Sequence, residues 1–409
     1  MISKLKIGLF GFGCVGQGLY DVLSKSSGIK ADIVKICVKD RSKSRKLPME
    51  LFTFDKNDIL NNSEINLVVE LIDDADEAFN IVKTAMTSGK SVVTANKKMV
   101  ANHLAELVEL QNKHNVSLLY EASSCGSIPI IRTLEEYYDN ELLNSVSGIF
   151  NGSSNYILSK NFNEHLDYDT ALKQAQDLGF AESNPLLDVG GFDAKFKLTI
   201  ISAHAYGLFI HPDEILNLGI QNLSTADIEY ARKSGRKIKL VNVVRKLNDD
   251  EITIHTMPTF VAPHQYLYFV ENEFNGVIVE AAFSDKQFYL GKGAGGHPTG
   301  SAVLSDISAV TYDYKYAYHK ASQDKKLRYS KNVLLELYVR FSNEQELNLI
   351  EFENISEKGN GFVIGTVILE NLLKKAAKIQ NSKLFIANTG KNISELTLQE
   401  AVAEKAETK

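Results

Sequence analysis

KLKIGLFGFGCVG, residues 4–16, is the stretch that decides the fold of this chain. Its first half is a short apolar run typical of a β-strand, and the segment Gln17–Ser26 that follows is helix-like. Between them, Gly11 permits a tight turn, Gly13 lets backbone N–H groups approach a pyrophosphate, and Gly16 lets the helix pack closely on the strand. Strand, glycine turn and helix in this order predict a nucleotide-binding unit, with a plain structural turn as the alternative.

A second predicted strand, Asp32–Val38, ends about 20 residues after the glycine turn, where such units read the ribose of the nucleotide. Asp40 suits a ribose 2′-hydroxyl, whereas Lys39 and Arg41 suit a 2′-phosphate. NAD and NADP therefore both stay open, and the two cations favour NADP. A solvated surface turn would have the same sequence character.

Strands and helices continue to alternate up to residue 120, with strands predicted at Asn66–Ile72, Ser91–Thr94 and Ser117–Tyr120 and helices at Asp76–Ser88 and Met99–His114. This alternation predicts an α/β fold with a doubly wound parallel sheet of Rossmann type. Ligands lie beyond the carboxyl ends of such strands, which places Thr94–Lys97 and Glu121–Ser124 at the binding edge. Lys97 is the first candidate for chemistry. The alternative is a charged residue that opens a surface helix.

The composition is that of a globular protein: 409 residues with 44% hydrophobic content allow two or three domains. The net charge of -6 provides no basic field for nucleic acid or anionic lipid. No run approaches the roughly 18 apolar residues of a membrane span, and no signal-peptide core follows Met1, so we expect a cytosolic protein. Cys14, Cys37 and Cys125 show no metal-ligand spacing, so we expect reduced thiols.

The middle of the chain carries a polar, glycine-bearing loop, Gly148–Tyr156, and then the most informative segment, Ala175–Lys197. In that segment Asp193 and Lys197 are four residues apart, so on a helix that starts after Gly191 they can meet across one turn. The simplest interpretation is an ordinary intrahelical ion pair. Together with Glu182 and Asp188 beside a nucleotide fold, however, the lysine and carboxylates would suit an amino-acid substrate.

At every defining position the segment resembles the signature of the homoserine dehydrogenase family: Ala175, Gly179, Asn184, Pro185, Asp188, Gly191, Asp193 and Lys197. Five further blocks of the family pattern follow the same order: the glycine turn, Thr94–Lys97, Tyr120–Ala122, Gly148–Leu158 and Gly291–Thr299. The resemblance covers residues 1–320. Such a long pattern is specific, whereas the glycine turn alone indicates only a nucleotide binder.

The resemblance implies interconversion of L-aspartate 4-semialdehyde and L-homoserine with NAD or NADP, on the route to threonine, methionine and isoleucine. It implies that Lys97 and Lys197 flank the reacting oxygen, with Lys197 as proton donor and Asp193 beside it. The implied substrate-binding residues are Glu182, Asp188, Asp193, Asn151, Gly152, Ser153 and Phe180. The implied cofactor-binding residues are Phe10, Gly11, Gly13, Cys14, Val15, Gly16, Val38, Lys39, Thr94, Lys97 and Gly295.

The resemblance also implies a structural sodium ion and a homodimer formed through the sheet of the middle domain. The ion would be held mainly by backbone carbonyls, around Glu121, Ser124, Gly126 and Ile128. The chain departs from the family pattern at Cys125, at Phe180 and at Asp73-Asp74, and none of these removes a catalytic group. Asp74 would weaken cofactor binding if its carboxylate faced the diphosphate.

We expect three domains: a Rossmann-type NAD(P)-binding domain at 1–127, an α+β substrate-binding and dimerisation domain at 128–320, and a small α+β C-terminal module at 321–409. Residues 295–320 are expected to pack back on the Rossmann domain. Many family members end in a regulatory ACT-type domain, but the strand Val333–Phe341 is not followed by its loop-helix signal. The tail is therefore a degenerate ACT-like or unrelated module, and we expect no ordinary threonine feedback through it.

Further elements predicted in the tail are strands at Leu349–Ile355, Gly361–Leu369 and Lys383–Ala387 and a helix at Glu370–Ile379, with residues 400–409 frayed. Two alternatives to the leading function stay open. One is another NAD(P)-dependent dehydrogenase for a related amino-acid aldehyde or alcohol. The other is a nucleotide-sensing module without catalysis, which would have no need to keep both Lys97 and Lys197.

Overall fold

The computed structural model describes residues 5–139, 142–323 and 326–391. The chain divides into two compact units, Met1–Asn140 with Gly291–Ser322 and Glu141–Leu290 with Gln323–Lys409. We call them the first and the second unit. The boundaries of the two units separate groups of residues that are mainly in contact with one another. The domain boundaries expected after residues 127 and 320 stay a prediction. The fraying expected at 400–409 lies outside the described residues.

The described part of the first unit contains a six-stranded, wholly parallel sheet in the order β3-β2-β1-β4-β5-β6. Its strands are β1 (Leu5–Phe10), β2 (Ala31–Cys37), β3 (Phe52–Thr53), β4 (Leu67–Glu70), β5 (Ser91–Thr94) and β6 (Leu118–Leu119). Its helices are α1 (Cys14–Lys25), α2 (Asn57–Leu60), α3 (Ala75–Thr87), α4 (Lys97–His114), α5 (Ile130–Arg132) and α11 (Gly296–Val310). This is the doubly wound Rossmann order, so the predicted fold class is confirmed.

The apolar runs explain the sheet: β4 is buried along its whole length, as expected for a central parallel strand with helices on both faces. The strand order reverses between β1 and β4, and ligands of such sheets bind beyond the carboxyl ends of the strands at that point. There the N–H of Leu71 donates to the carbonyl of Phe10 at 2.8 Å. The glycine turn therefore sits at the ligand-binding edge of the sheet.

Helix α11 packs on helix α1 within the first unit through facing glycines. A Cβ on Gly18 would lie 2.1 Å from the carbonyl oxygen of Gly296, and a Cβ on Gly300 would lie 2.6 Å from the nitrogen of Leu19. No side chain fits at these positions. The contact brings the segment that begins at Gly291 back onto the Rossmann sheet's first helix.

The second unit is built on an eleven-stranded mixed sheet with the main order β12-β11-β7-β9-β10-β17-β14-β16-β15, while β8 and β13 also pair with β10. The strands are β7 (Leu143–Ile149), β8 (Leu216–Asn217), β9 (Lys237–Lys246), β10 (Glu251–Val261), β11 (Phe274–Ala281), β12 (Asp285–Lys292), β13 (Arg328–Tyr329), β14 (Leu334–Arg340), β15 (Phe352–Gly359), β16 (Phe362–Ile368) and β17 (Phe385–Asn388). The helices are α6 (Gly152–Asn163), α7 (Tyr168–Asp177), α8 (Leu186–Val189), α9 (Phe192–Tyr206), α10 (Thr225–Lys233) and α12 (Leu369–Gln380).

We call residues 334–388 the C-terminal module. Its connectivity, β14-β15-β16-α12-β17, is that of a ferredoxin-like β-α-β-β-α-β module whose first helix is reduced to a 3-10 turn, Glu344–Leu349. The module shares one apolar core with the rest of the unit, because Leu216, Leu218 and Met257 cluster with side chains of β14, β16 and α12. Among the described residues, none of the helices is long and apolar enough to cross a membrane.

Candidate active site

The glycine turn places backbone N–H groups at the start of helix α1, where no side chain of the described residues caps them. Gly11 has φ +92°, and a Cβ there would lie 2.5 Å from the carbonyl oxygen of Leu71. Gly13 precedes the helix and no side chain caps it, so the first N–H groups, from Cys14, Val15 and Gly16, face the site. A Cβ on Gly13 would meet nothing within 4 Å. This geometry fits a pyrophosphate at the helix N-terminus.

Two side chains follow β2 where a dinucleotide ribose is read. Lys39 Nζ lies 3.7 Å from a carboxylate oxygen of Asp74, in an exposed pair. Asp40 instead folds onto its own turn and accepts hydrogen bonds from the N–H and the hydroxyl of Ser42, at 2.8 and 2.7 Å. These bonds lower the pKa of Asp40, and the bond from the Ser42 hydroxyl has the larger effect. The acidic residue at this position is thus already engaged within the chain.

Asp74 has a structural partner of its own, because its carboxylate caps helix α3 by accepting the N–H of Glu77 at 3.0 Å. Arg41 and Arg45 lie over the rings of Phe54 and Phe52, at 4.6 and 5.1 Å from their centroids. Cations therefore surround the end of β2. The N–H of Val38 donates to the carbonyl of Thr53, so the pairing of β2 with β3 extends to the residue before Lys39.

The end of β5 holds a buried network around Thr94. The Thr94 hydroxyl donates to Glu70 at 2.5 Å and accepts the N–H of Asn96 at 3.0 Å, and Asn96 in turn caps helix α4. Burial raises the pKa of Glu70 to about 7. Lys97 is the first residue of α4 and is half-buried. Helix α4 starts two residues earlier than the Met99 predicted, because Asn96 is an effective cap.

The second glycine-rich segment lies beside the first within the same unit. Gly295, with φ +121°, precedes helix α11. A Cβ on Gly296 would lie 2.9 Å from the carbonyl oxygen of Cys14. The structure therefore brings Gly295 next to the other expected cofactor-binding residues of the glycine turn.

The second unit brings the predicted Lys197 together with two of the three predicted carboxylates, Asp188 and Asp193, but not with Glu182. Lys197 Nζ donates to Asp193 at 2.8 Å and to the carbonyl of Phe150 at 2.6 Å. Asn151 Nδ2 donates to Asp193 at 2.9 Å and to Asp188 at 2.7 Å. The side chains of Lys197 and Asp193 are each only 8% exposed. Hence the predicted contact across one helical turn is confirmed, within a cluster of two carboxylates and one ammonium.

The remaining substrate candidates lie at the start of helix α6 and between helices α7 and α8. The Ser153 hydroxyl donates to the carbonyl of Phe180, whose ring lies 5.1 Å from that of Tyr156. Gly152 sits where a Cβ would fall 2.5 Å from the carbonyl oxygen of Glu273. Glu182 is exposed, and within the described part of the chain its carboxylate makes no hydrogen bond or ion pair. Its carboxylate is therefore available to a ligand.

Sequence reasoning missed three buried asparagines that hold the backbone of this cluster. Asn275 donates to the carbonyl of Phe150 at 3.0 Å, Asn242 to that of Gly148 at 3.1 Å, and Asn217 to that of Gly190 at 2.8 Å. All three lie in strands, from which asparagine is generally depleted. An asparagine inside an otherwise apolar strand pattern is therefore the sequence feature that could have identified these three residues.

The turn expected to hold sodium is a close-packed backbone structure. Cys125 and Gly126 both have left-handed φ, +56° and +58°. The Glu121 carboxylate does not face a metal, because it accepts the N–H groups of Ile131 and Arg132, both at 2.8 Å, and burial raises its pKa to about 7. The oxygen donors that remain at the expected ligand residues are the backbone carbonyls of Glu121, Ser124, Gly126 and Ile128 and the hydroxyl of Ser124.

Two observations bear on whether an ion fits at this turn. The hydroxyls of Ser123 and Ser124 are buried and have no hydrogen-bond partner within the described residues. The described chain contains no cluster of three His, Cys, Asp or Glu side chains suited to a metal. A cation held by carbonyl and hydroxyl oxygens is compatible with this donor set, whereas a transition metal is not.

A Rossmann sheet with an uncapped glycine turn, joined to a unit that carries a lysine–carboxylate cluster, defines an NAD(P)-dependent oxidoreductase. The family model described as homoserine dehydrogenase matches residues 129–308, and that described as homoserine dehydrogenase, NAD binding domain, matches residues 11–121. The homoserine dehydrogenase of Bacillus subtilis is 34% identical over 318 residues, which cover 76% of this chain and 73% of that protein. The chain belongs to the homoserine dehydrogenase family.

Solved structures agree with this assignment. A homoserine dehydrogenase from Thiobacillus denitrificans superposes with a TM-score of 0.81 at 29% identity and covers 94% of this chain and 98% of its own. That coverage extends into the C-terminal module. A hyperthermophilic archaeal homoserine dehydrogenase mutant in complex with NADPH gives a TM-score of 0.65 at 26% identity, over 77% of this chain and all of its own.

Proposed function

We propose that this protein interconverts L-aspartate 4-semialdehyde and L-homoserine, on the route from aspartate to threonine, methionine and isoleucine. The observation that carries the proposal is the cluster of Lys197, Asp193, Asn151 and Asp188 in a member of this family. Two carboxylates and one ammonium leave a net negative charge, which suits the ammonium group of an amino-acid substrate.

Lys197 is the proposed proton donor. When bound, NAD(P)H supplies the hydride that reduces the aldehyde carbon. Two of the three N–H donors of Lys197 are held by Asp193 and the Phe150 carbonyl, so the third can reach the substrate oxygen. There it stabilises the developing alkoxide and gives up its proton, while Asp193 keeps the ammonium in place. Lys97, at the start of α4, is proposed on family resemblance as the second lysine at this oxygen.

We propose that the substrate is held by the carboxylates and by residues at the start of α6. Glu182 is exposed with an unengaged carboxylate, and Asp188 and Asp193 are tied together through Asn151. We propose that these three carboxylates receive the substrate ammonium. Gly152, Ser153 and Phe180 would line the same site, as the family resemblance implies.

For the cofactor we propose a preference for NADP. Asp40, the residue suited to a free ribose 2′-hydroxyl, is engaged by Ser42, whereas Lys39 and Arg41 are cations beside the same strand end. The exposed Lys39–Asp74 pair is weak enough for a 2′-phosphate to displace. Residues proposed to hold the dinucleotide are Phe10, Gly11, Gly13, Cys14, Val15, Gly16, Val38, Lys39, Thr94, Lys97 and Gly295.

We further propose that the protein works in the cytosol. On family resemblance we propose that it is a homodimer and that a sodium ion bound by the carbonyls of Glu121, Ser124, Gly126 and Ile128 stiffens the turn. The ion would have a structural role only. Sedimentation of the purified protein measures the oligomeric state directly.

A paired assay tests the proposed reaction, with NAD and NADP each offered with homoserine, and NADH and NADPH each with aspartate semialdehyde. We expect turnover of both substrates and a higher kcat/KM with the phosphorylated cofactor. Turnover of a different hydroxy amino acid in the absence of any homoserine oxidation would show that the substrate assignment is wrong.

The variant Lys197→Ala tests the mechanism. We expect kcat to fall by about two orders of magnitude or more, as for loss of a general acid. Lys195→Ala is the matched control, because Lys195 is a buried lysine on the same helix whose ammonium lies over the ring of Phe192. Near-wild-type turnover in Lys197→Ala would remove Lys197 from the mechanism.

A further inference from the structure

Strand β8 has two different faces. Leu216 and Leu218 are 0% and 4% exposed and belong to the apolar core of the C-terminal module, together with Leu337, Leu372 and Ile386. Residue Asn217 lies between them and, because side chains alternate along an extended chain, points to the opposite face. One face of this short segment therefore packs in the core of the C-terminal module, and the other face lies against the turn at Gly190.

On that opposite face, Asn217 holds the turn from which the active-site helices start. Its Nδ2 donates to the carbonyl of Gly190 at 2.8 Å. Gly190 closes helix α8, which carries Asp188, and Gly191 opens helix α9, which carries Asp193 and Lys197. A second bond, from the N–H of Ile220 to the carbonyl of Val189 at 2.7 Å, fixes the same turn.

The C-terminal module also contacts the backbone of Asn217. Gln380, the last residue of α12, donates from Nε2 to the carbonyl of Asn217 at 2.9 Å. The segment between the two leucines is thus held by core packing and a side-chain hydrogen bond from the C-terminal module, and by pairing with β10, where the N–H of Leu218 donates to the carbonyl of Thr256 at 2.9 Å. A displacement of α12 would act on Asn217 through Gln380 and the shared core, against the pairing of Leu216 and Asn217 with β10.

We propose that Asn217 is a positioning residue for catalysis, through which the C-terminal module sets the orientation of Lys197 and the two carboxylates. The turn at Gly190 and Gly191 fixes where both helices begin, and a misplacement of about 1 Å is enough to cost about a hundredfold in rate. Asn217 is not among the residues proposed above to hold the substrate or the cofactor. The proposal rests on the roles proposed above for Asp188, Asp193 and Lys197.

The variant Asn217→Asp keeps the shape of the side chain and removes its donor. We expect kcat for homoserine oxidation to fall at least about tenfold and KM for homoserine to rise, while KM for the dinucleotide stays within about twofold. The pH profile of kcat is compared in Gln380→Met, because Asn217→Asp adds a titratable carboxyl group of its own. A merely structural role would lower the folded fraction and leave these values, per folded molecule, unaltered.

Asn222→Asp is the matched control. Asn222 is also an asparagine that holds the C-terminal module, through the carbonyls of Ser382 and Leu384 at 2.9 Å each, and its side chain makes no hydrogen bond to the turn at Gly190 within the described residues. We expect a comparable loss of thermal stability and a wild-type kcat. Equal kcat losses in Asn217→Asp and Asn222→Asp, or a wild-type kcat in folded Asn217→Asp, would overturn the proposal.

Gln380→Met provides a second variant if Asn217→Asp does not fold, because it removes only the partly exposed bond from α12. We expect a smaller fall in kcat, about twofold to fivefold, again with KM for the dinucleotide unaltered. A wild-type kcat in this variant would contradict the coupling. If Lys197→Ala keeps its activity, the proposed mechanism fails. If Lys197→Ala is inactive and Asn217→Asp is not, only the present inference fails.

Discussion

Glu70 shows how a single buried group makes stability depend on pH. Its carboxyl group is wholly buried at the end of β4, where burial raises its pKa from 4.5 to about 7 against hydrogen bonds from Thr94 and Ile72. A raised pKa in the folded state means that the neutral form is favoured. The associated stability is fully present below about pH 4.5 and is lost as pH rises through about 7.

Glu70→Gln should therefore stabilise the protein at pH 8.5 and not at pH 4.5. The glutamine resembles the neutral acid and does not ionise, so the free energy of unfolding should rise by at most about 3 kcal/mol at the higher pH. Urea unfolding at the two pH values measures the difference. A variant that changes the unfolding free energy equally at both pH values would contradict a raised pKa for Glu70.

The residues of the site differ in how far the sequence could place them. The Asp193–Lys197 pair is local, because a four-residue spacing on a helix fixes its geometry, and it was predicted from sequence. The bond from Asn275 to Phe150 depends on the pairing of β11 with β7, whose residues are more than a hundred positions apart in the chain. No local rule supplies that register, so Asn275 was not found.

At the scale of elements, the left-handed turn between α8 and α9 is the feature that most constrains the site. Gly191 has φ +77°, which costs an L-residue about 1–2 kcal/mol. We expect Gly191→Ala to lose about that much stability and also to lower kcat, because helix α9 begins at this residue. Steady-state kinetics and thermal unfolding of the purified variant give both quantities.

Gly235→Ala is the control for backbone strain alone. Gly235 has φ +67°, follows helix α10, and a Cβ there would meet nothing within 4 Å. It should lose similar stability and keep the wild-type kcat. A fall in kcat for both variants would show that the effect of Gly191→Ala is general destabilisation.

The longer elements of the first unit and of the C-terminal module that were predicted lie within a few residues of the predicted limits, whereas the short β3, α2 and α5 were not predicted. Strand β5 has the predicted limits Ser91–Thr94, and helix α12 starts one residue before the predicted Glu370. Periodicity and turn residues are local signals, so they locate elements well. They do not give strand order: β17 joins the C-terminal module to β10 through the pairing of Asn388 with Thr259, which only the tertiary structure determines.

At the scale of the whole molecule, the pairing of β17 with β10 predicts that the second unit, including the C-terminal module, unfolds in one cooperative transition. The C-terminal module is connected to helix α10 by Asp227, whose buried carboxylate accepts two 2.9 Å bonds from Arg340 and one of 3.1 Å from Tyr338. The same carboxylate accepts the N–H of Ser224 and so caps α10. Arg340 thus links strand β14 of the C-terminal module to helix α10, which lies outside the module.

Arg340→Met should destabilise both regions together. Removing the guanidinium leaves a buried carboxylate without its charged partner, which costs about 3–5 kcal/mol in comparable sites. Arg328→Met is the control, since the Arg328 guanidinium lies 3.9 Å from Glu251 and its side chain is 75% exposed, so little stability should be lost. In hydrogen exchange, peptides from β14 and from β9 should lose protection at the same denaturant concentration. If β14 exchanges while β9 stays protected, the C-terminal module is a separate folding unit and the prediction is wrong.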